Sequence, residues 1–252
     1  RMHLFLIDSD VLDGCATVRG EEHHHLSRSA RLREGDAVLL GDGRGTVYEA
    51  TVAAVLRDET QCTVTRSIPA YHEAPVAVHV LQGVLKNPAK MDWLVEKVTE
   101  LGAASITPLL TAHTVARSVK SARLRKLAEE ASKQCLRGRI PDVHDARAFT
   151  TAVAALRDAD VRMLLFHEAV DTARTPETLH YDARPLALFI GPEGGFSDDE
   201  VALLRDGGAD LLSLGPRRLR GETAAVAATA RVMARIERVP PAETDAATPH
   251  VD

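Results

Sequence analysis

The 252-residue sequence predicts an α/β protein with a largely parallel sheet, preceded by a smaller β-rich unit. Three observations carry this. From Val76 onward, apolar runs of strand length alternate with stretches of helical period, the pattern of a parallel sheet with crossover helices. Before about residue 70 the apolar runs are short or alternating, with turn signals between them. Nearer the C-terminus, two apolar runs each end in a glycine-rich or arginine-rich turn that opens a helix. Open α/β sheets bind ligands at strand ends of this kind.

The elements follow in order. Residues 4–7, 37–40, 46–55 and 61–65 read as strands, and Gly41-Asp42-Gly43-Arg44-Gly45 is a hairpin turn signal. Residues 1–70 are therefore expected to form one unit, with a boundary near Pro69 to Pro75. Residues 76–81 read as a buried strand. Met91, Leu94, Val95, Val98 and Leu101 share one helical face, and Gly102 is placed to end that helix. A strand at 106–110 follows, then a helical stripe through Leu124, Leu127, Ala128, Ala131 and Cys135. Next come a short helix at 150–157, a strand at 161–166, and the two strand-loop-helix segments. An alanine-rich helix at 222–238 completes a second unit over 75–239. The tail, 240–252, is rich in Pro, Ala, Thr and Asp and reads as disordered.

Composition narrows the function classes. At 45% hydrophobic and 27% charged residues the chain is an ordinary globular one. No apolar stretch reaches membrane-span length, and the N-terminus lacks a signal peptide's apolar core, so the cytoplasm is the expected compartment and no membrane partner is expected. Three widely separated cysteines, Cys15, Cys62 and Cys135, argue against a disulfide framework or a zinc site. Cys135 reads as a buried core residue. His23, His24 and His25 have no carboxylate or cysteine at ligand spacing, so they read as strand or turn residues and no metal is expected. A net charge of −5 argues against a generic nucleic-acid coat. Yet residues 117–139 hold eight Lys or Arg (Arg117, Lys120, Arg123, Arg125, Lys126, Lys133, Arg137 and Arg139) against Glu129 and Glu130. That excess reads equally as a phosphate-binding surface or as a solvated helix face with internal ion pairs.

The two loops differ in chemistry. In Gly191-Pro192-Glu193-Gly194-Gly195-Phe196, the glycines let a ligand approach the backbone closely. Ser197 and Glu200 form a capping box, and Asp198, Asp199 and Glu200 crowd the helix start, where they would repel a phosphate. That loop points to a neutral or cationic ligand. In Gly215-Pro216-Arg217-Arg218-Leu219-Arg220-Gly221-Glu222, three arginines lie beside the expected pocket. They read either as anion-facing groups or as helix-start residues paired with acids such as Glu222. Ala224, Ala225, Ala227, Ala228 and Ala230 give the last helix a slim profile suited to close packing.

Gly191-Pro192-Glu193-Gly194-Gly195-Phe196-Ser197 and Leu214-Gly215-Pro216-Arg217-x-Leu219-Arg220-x-Glu222-Thr223-Ala224 resemble the two signature segments of the 16S ribosomal RNA (uracil-N3)-methyltransferase family, which belongs to the SPOUT class. Lys86, Lys90-Met91-Asp92 and Glu96-Lys97 through Gly102 resemble its first helix motif. Arg117-Ser118-Val119 and Lys133-Gln134 through Arg137 and Pro141 resemble its second. His24 or His25 with Leu26, Arg28 and Arg31, then Gly35-Asp36 and Asp42 to Gly45, resemble its N-terminal RNA-binding domain. The resemblance runs in order to about Arg238. Gly221, Cys135-Leu136 and Val98 depart from the usual family residues.

The resemblance implies a SPOUT-type parallel sheet with a C-terminal trefoil knot, behind a PUA-like β-barrel domain. It implies S-adenosyl-L-methionine as cofactor, held by Phe166, His167, Glu168, Ile190, Gly191, Pro192, Glu193, Gly194, Gly195, Leu214, Gly215, Leu219, Arg220, Thr223 and Ala224. It implies 16S rRNA or the assembled small subunit as partner, with RNA contacts from Arg28, Arg31, Arg33, Arg44, Lys86, Lys90, Arg117, Lys133, Arg137 and Arg139, and a homodimer. Arg220 and Glu222 are then the catalytic candidates. Arg220 would stabilise the anion formed at uracil N3, and Glu222 would orient Arg220 or act as base; as a plain capping ion pair they would do neither. Alternatives are another SPOUT activity on transfer RNA, a non-catalytic RNA-binding or assembly factor, and a phosphate-binding α/β enzyme. The last is disfavoured by the acids at the Ser197 helix and by the missing P-loop lysine.

Overall fold

The computed structural model describes residues 3–115 and 119–237. Arg117 and the tail 240–252 lie outside the described residues.

The N-terminal unit has strands β1 (Leu4–Leu6), β2 (Cys15–Arg19), β3 (Ala37–Gly41), β4 (Val47–Val55) and β5 (Glu59–Ile68), in sheet order β1-β3-β4-β5-β2. β3, β4, β5 and β2 pair antiparallel, and β1 joins β3 in parallel. Phe5, Val18, Val38, Leu40, Ala50, Val52 and Cys62 fill one apolar core. The strand β2 is absent from the sequence-based expectation because Ala16 and Val18 alone form too short an alternation to register.

The three histidines are helical rather than strand or turn residues. Gly20–His24 form helix α1, which continues as one turn of π-helix over His25–Ser29. His23 and Leu26, three apart, bury one face. The His23 ring bonds Thr60 Oγ1 at 2.9 Å and the Arg57 carbonyl at 3.3 Å, which satisfies it inside the unit.

The C-terminal unit follows from Val78. Strands β6 (Val78–Gly83), β7 (Ser105–Leu110), β8 (Asp142–Val143), β9 (Arg147–Ala148), β10 (Arg162–Phe166), β11 (Leu186–Ile190) and β12 (Asp210–Leu212) form one parallel sheet. The order is β12-β10-β11-β6-β7-β8, with β9 also on β7. Helices α2 (Pro88–Glu100), α3 (Ser121–Gln134) and α6 (Gly221–Ile236) supply the core on one face, with Val78, Val80, Leu164, Leu186 and Leu188. Helices α4 (Phe149–Arg157) and α5 (Asp198–Asp206) supply the other, with Leu81, Leu165 and Phe189. Strands buried on both faces explain why these runs are continuously apolar. From β6 the chain leaves toward β7; from β11 it leaves the opposite way toward β12. That divergence opens a crevice at the C-terminal strand ends.

The two units share a seam. The hairpin turn bonds residues 138–140, Gly45 N to Gly138 O and Ile140 N to Gly43 O, both at 3.0 Å. Lys133 Nζ on α3 meets Glu22 Oε1 on α1 at 2.7 Å. Cys135, expected in the core, is only half-buried as the C-cap of α3; burial pushes its thiol up, so it is not primed as a nucleophile.

At the N-terminal strand ends, away from the crevice, His79 Nδ1 lies 2.7 Å from Ser105 Oγ. Burial, and then repulsion from His144, hold His79 below the ordinary histidine value, with Asp142 opposing; burial and Arg147 do the same to His144. The folded chain thus prefers both rings neutral. Their contribution to stability is full above the unfolded value of about 6.5 and is lost as pH falls from there through the lowered folded values. The denaturation midpoint is expected to fall between pH 7.5 and 5.5, and to fall less in His79→Gln; equal losses in both would refute the assignment.

Candidate active site

The crevice holds a cavity of about 460 Å³, within the range of small-molecule sites. Its walls are three strand ends: Phe166, His167 and Glu168 after β10; Ile190 to Phe196 after β11; Leu214, Gly215, Arg217, Arg218, Leu219, Arg220 and Gly221 between β12 and α6. Ala224 of α6 and Lys90 of α2 complete it. Every residue expected to hold the cofactor lines this cavity except Thr223, which is exposed on α6 outside it. Thr223 is one position before Ala224, about 100° around the helix from the lining face.

The glycine loop is fixed by close backbone approach. A Cβ on Gly83 would stand 2.3 Å from Pro192 Cδ and 2.4 Å from Pro192 N, so only glycine lets the ends of β6 and β11 pack this tightly. Gln82 Nε2, fully buried, ties the same crossing by donating to the Gly83 carbonyl at 2.8 Å and the Gly191 carbonyl at 3.0 Å. Gly195 has φ +72°, with open space where a Cβ would stand, so this wall presents bare backbone. Glu193 accepts the Lys86 backbone N–H at 3.0 Å, which places Lys86 beside the loop but exposed and outside the lining.

The acids at the cavity are not those of the helix start that follows the glycine loop. Asp198, Asp199 and Glu200 open α5 but do not line the cavity. Glu200 is occupied by its capping box with Ser197 and by the Ala112 N–H at 2.8 Å. The acids that face the cavity are Glu168 and Glu193; the cations are Lys90, Arg217, Arg218 and Arg220. Arg218 Nε and Glu168 Oε2 pair at 3.1 Å across the rim, both largely exposed. His167 sits on the wall with Nδ1 accepting the Ala169 N–H at 3.2 Å.

The catalytic candidates are placed differently from one another. Arg220 is the N-cap residue of α6; its side chain makes no capping bond and lines the cavity. Glu222 is buried, outside the lining, and pairs with Lys90 Nζ at 2.9 Å rather than with Arg220. Burial pushes the Glu222 carboxyl up, but the Lys90 hydrogen bond, its own helix-start N–H and the Lys90 and Arg220 charges outweigh it and hold the group below the usual carboxylate range. A carboxylate held that way is a weak proton acceptor at neutral pH.

The expected RNA contacts divide. Arg28, Arg31, Arg33, Arg44 and Arg139 are exposed. Arg44 and Arg139 come together through the antiparallel bridge of the seam, although they are 95 positions apart in sequence. Arg137 is not at the surface, and Lys133 is half-buried in an ion pair. Lys133 is committed to Glu22 and Glu129. Arg137 is 3% exposed; it pairs with Glu73 at 2.6 Å and donates to the carbonyls of Thr99 at 2.8 Å and Ala103 at 3.0 Å. Arg123 and Arg125 likewise pair with Asp92 and Asp145, so much of the basic run is a face with internal ion pairs. Lys90, expected on RNA, lies at the cavity, a placement its position in a helix motif gave no way to see.

Among the described residues, no cluster of three or more His, Cys, Asp or Glu is placed to hold a metal, and no helix is long and apolar enough to cross a membrane.

A cavity at the C-terminal ends of parallel strands, behind a separate β unit, is the architecture of an α/β ligand-binding protein. Residues 72–233 match the model of an RNA methyltransferase domain, and residues 18–65 that of an RNA methyltransferase PUA domain. The chain is 33% identical to the ribosomal RNA small subunit methyltransferase E of Mycobacterium bovis, covering 91% of this chain and 90% of that one. It is 28% identical to the protein of that name in Bacillus subtilis, over 88% and 90%. A Legionella pneumophila protein solved with the bound cofactor SAM superposes with a TM-score of 0.79 at 27% identity, over 93% and 98% of the chains. The methyltransferase E of Neisseria gonorrhoeae, bound to S-adenosyl methionine, shares the fold at a TM-score of 0.80 and 23% identity, over 91% and 96%. The chain belongs to the family of RNA methyltransferases that includes the ribosomal RNA small subunit methyltransferase E proteins.

Proposed function

We propose that this protein transfers a methyl group from S-adenosyl-L-methionine to N3 of a uridine in 16S ribosomal RNA. The observation that carries the reading is a cavity whose lining coincides with the two signature loops, in a chain that belongs to this family. The residues fit the donor. Phe166, Ile190 and Leu214 offer apolar surface and the Gly191 to Gly195 and Gly215 backbone is bare, which suits a flat adenine ring. Glu168 and Glu193 offer the negative charge that a sulfonium and an ammonium favour. When bound, the donor supplies an electrophilic methyl group whose C–S electron pair stays on sulfur.

Arg220, on the cavity wall, stabilises the negative charge that spreads over the uracil oxygens as the N3 proton leaves. Solvent takes that proton, since Glu222 is paired with Lys90. The N-terminal unit, with Arg28, Arg31, Arg33 and Arg44, and the neighbouring Arg139 hold RNA phosphates and shape. The target base is presented out of its stack. The C-terminal segment that carries α6 is threaded through a loop as a trefoil knot, and the knot region forms a homodimer contact. The site of action is the cytoplasm.

The test is transfer of labelled methyl groups to naked 16S rRNA and to assembled small subunits, followed by nucleoside analysis. The expected product is 3-methyluridine. Label in a ribose or in guanine would replace this reading with another methyltransferase activity, and no donor binding by calorimetry would replace it with an assembly factor.

A further inference from the structure

We propose that Lys90 is a second cation facing the reacting base, and that buried Glu222 is the residue that positions it; the proposal rests on the methyl-transfer reading above. Lys90 is the third residue of α2 and Glu222 the second of α6, so the ion pair joins the starts of two packed helices. The pair is lopsided. Glu222 is 8% exposed and shut out of the cavity, whereas the Lys90 side chain is 29% exposed and lines it.

Packing does not call for this arrangement. A lysine in the first turn of a helix opposes the macrodipole, and taking a carboxylate from water costs several kcal/mol unless its oxygens are well satisfied. Here Lys90 holds only Oε1, and Glu222 Oε2 is buried with no hydrogen-bond partner. Two apolar side chains would join these helices equally well. What the ion pair achieves is placement. One ammonium N–H is held by Glu222 Oε1, and the remaining donors of a three-donor group are left for the cavity.

The other charged groups on the walls leave that role to Lys90. Arg218 is paired with Glu168 at the rim, and Glu193 is turned to the Lys86 N–H. His167 uses Nδ1 on its own loop. Arg217 and Arg220 come from the second loop, whereas Lys90 enters from α2. A base bound between them meets positive charge from two elements. Glu222 is in this view neither the base nor a partner of Arg220: it acts through Lys90, as a positioning residue.

The experiment compares single-turnover methyl transfer to small-subunit rRNA by wild type, Lys90→Met, Lys90→Arg, Glu222→Gln and the double variant, with donor affinity measured by calorimetry. Lys90→Met is expected to slow transfer about 10²-fold, as for loss of one donor to a developing anion, with donor affinity within about 2-fold of wild type. Lys90→Arg should recover most of that loss, since charge is kept. Glu222→Gln should slow transfer about 10-fold, and the double variant should be no slower than Lys90→Met, because the two act as one unit. A Lys90→Met rate within 2-fold of wild type, multiplicative losses in the double variant, or a loss that saturating donor restores would each overturn the proposal. If Glu222→Gln does not fold, Lys90→Arg against Lys90→Gln decides alone, and equal rates overturn it. Nucleoside analysis of the wild-type product tests the uracil reading separately: label on another nucleoside removes that reading, while the Lys90 comparison is still scored on the product formed.

Discussion

Replacing Arg220 by alanine is expected to slow methyl transfer about 10²- to 10³-fold, the cost of losing a charge aimed at a developing anion, while donor affinity and thermal stability stay near wild type. The separation of effects follows from where the side chain sits. Arg220 has the extended backbone of an N-cap residue, φ −72° and ψ 152°, yet its side chain makes no capping bond, so α6 does not depend on it. Its guanidinium belongs to an exposed residue on the cavity wall. Calorimetry with S-adenosyl-L-methionine and single-turnover assays on rRNA check both halves. Unchanged turnover removes Arg220 from the chemistry. Loss of donor affinity large enough to account for the whole effect makes it a binding residue only. A capping ion pair with Glu222 is not the arrangement found, since that carboxylate is held by Lys90.

Arg137→Met is expected to destabilise the chain by about 3–5 kcal/mol, the range for breaking a buried pair by removing one partner. The guanidinium bonds both oxygens of Glu73, at 3.2 and 2.6 Å, and two main-chain carbonyls at the end of α2. Methionine fills the volume but leaves Glu73, Thr99 O and Ala103 O without their donor. Denaturant titration reads the loss. RNA affinity per folded molecule is expected to be unchanged, because a side chain 3% exposed is out of reach of a phosphate. A large fall in RNA affinity with stability intact would return Arg137 to the RNA surface and remove its structural role.

These two arginines show why a basic run is hard to read. Arg137 and Arg139 are two apart in sequence, yet one is buried and one exposed. Each ion pair that decides the matter involves a residue far away: Glu73 for Arg137, and Glu22 for Lys133, 111 positions off. The same holds at the site. Gly191 to Gly195 and Arg217 to Arg220 are recognisable because local chemistry, a strand running into glycine or arginine and then a helix start, places them at strand ends. The acids after Ser197 point to a cationic ligand, as the family's donor is, but they are adjacent to the cavity in sequence only. Their helix start caps itself with Glu200 and bonds Ala112, and the acids that face the cavity come from the ends of β10 and β11.

The sequence by itself determined the alternation of strands and helices, the two strand-end loops and the family signature. Each depends on periodicity, turn chemistry or a short contiguous motif. It did not determine strand order, the seam between the units or the partner of any charged side chain. Those were decided by tertiary packing alone, which set β11 beside β6, closed the Gly83–Pro192 crossing and brought Lys90 of α2 onto Glu222 of α6. The physical reason is range. A helical period or a capping box is a property of neighbours along the chain, whereas burial and charge pairing depend on which distant segment fills the adjacent space.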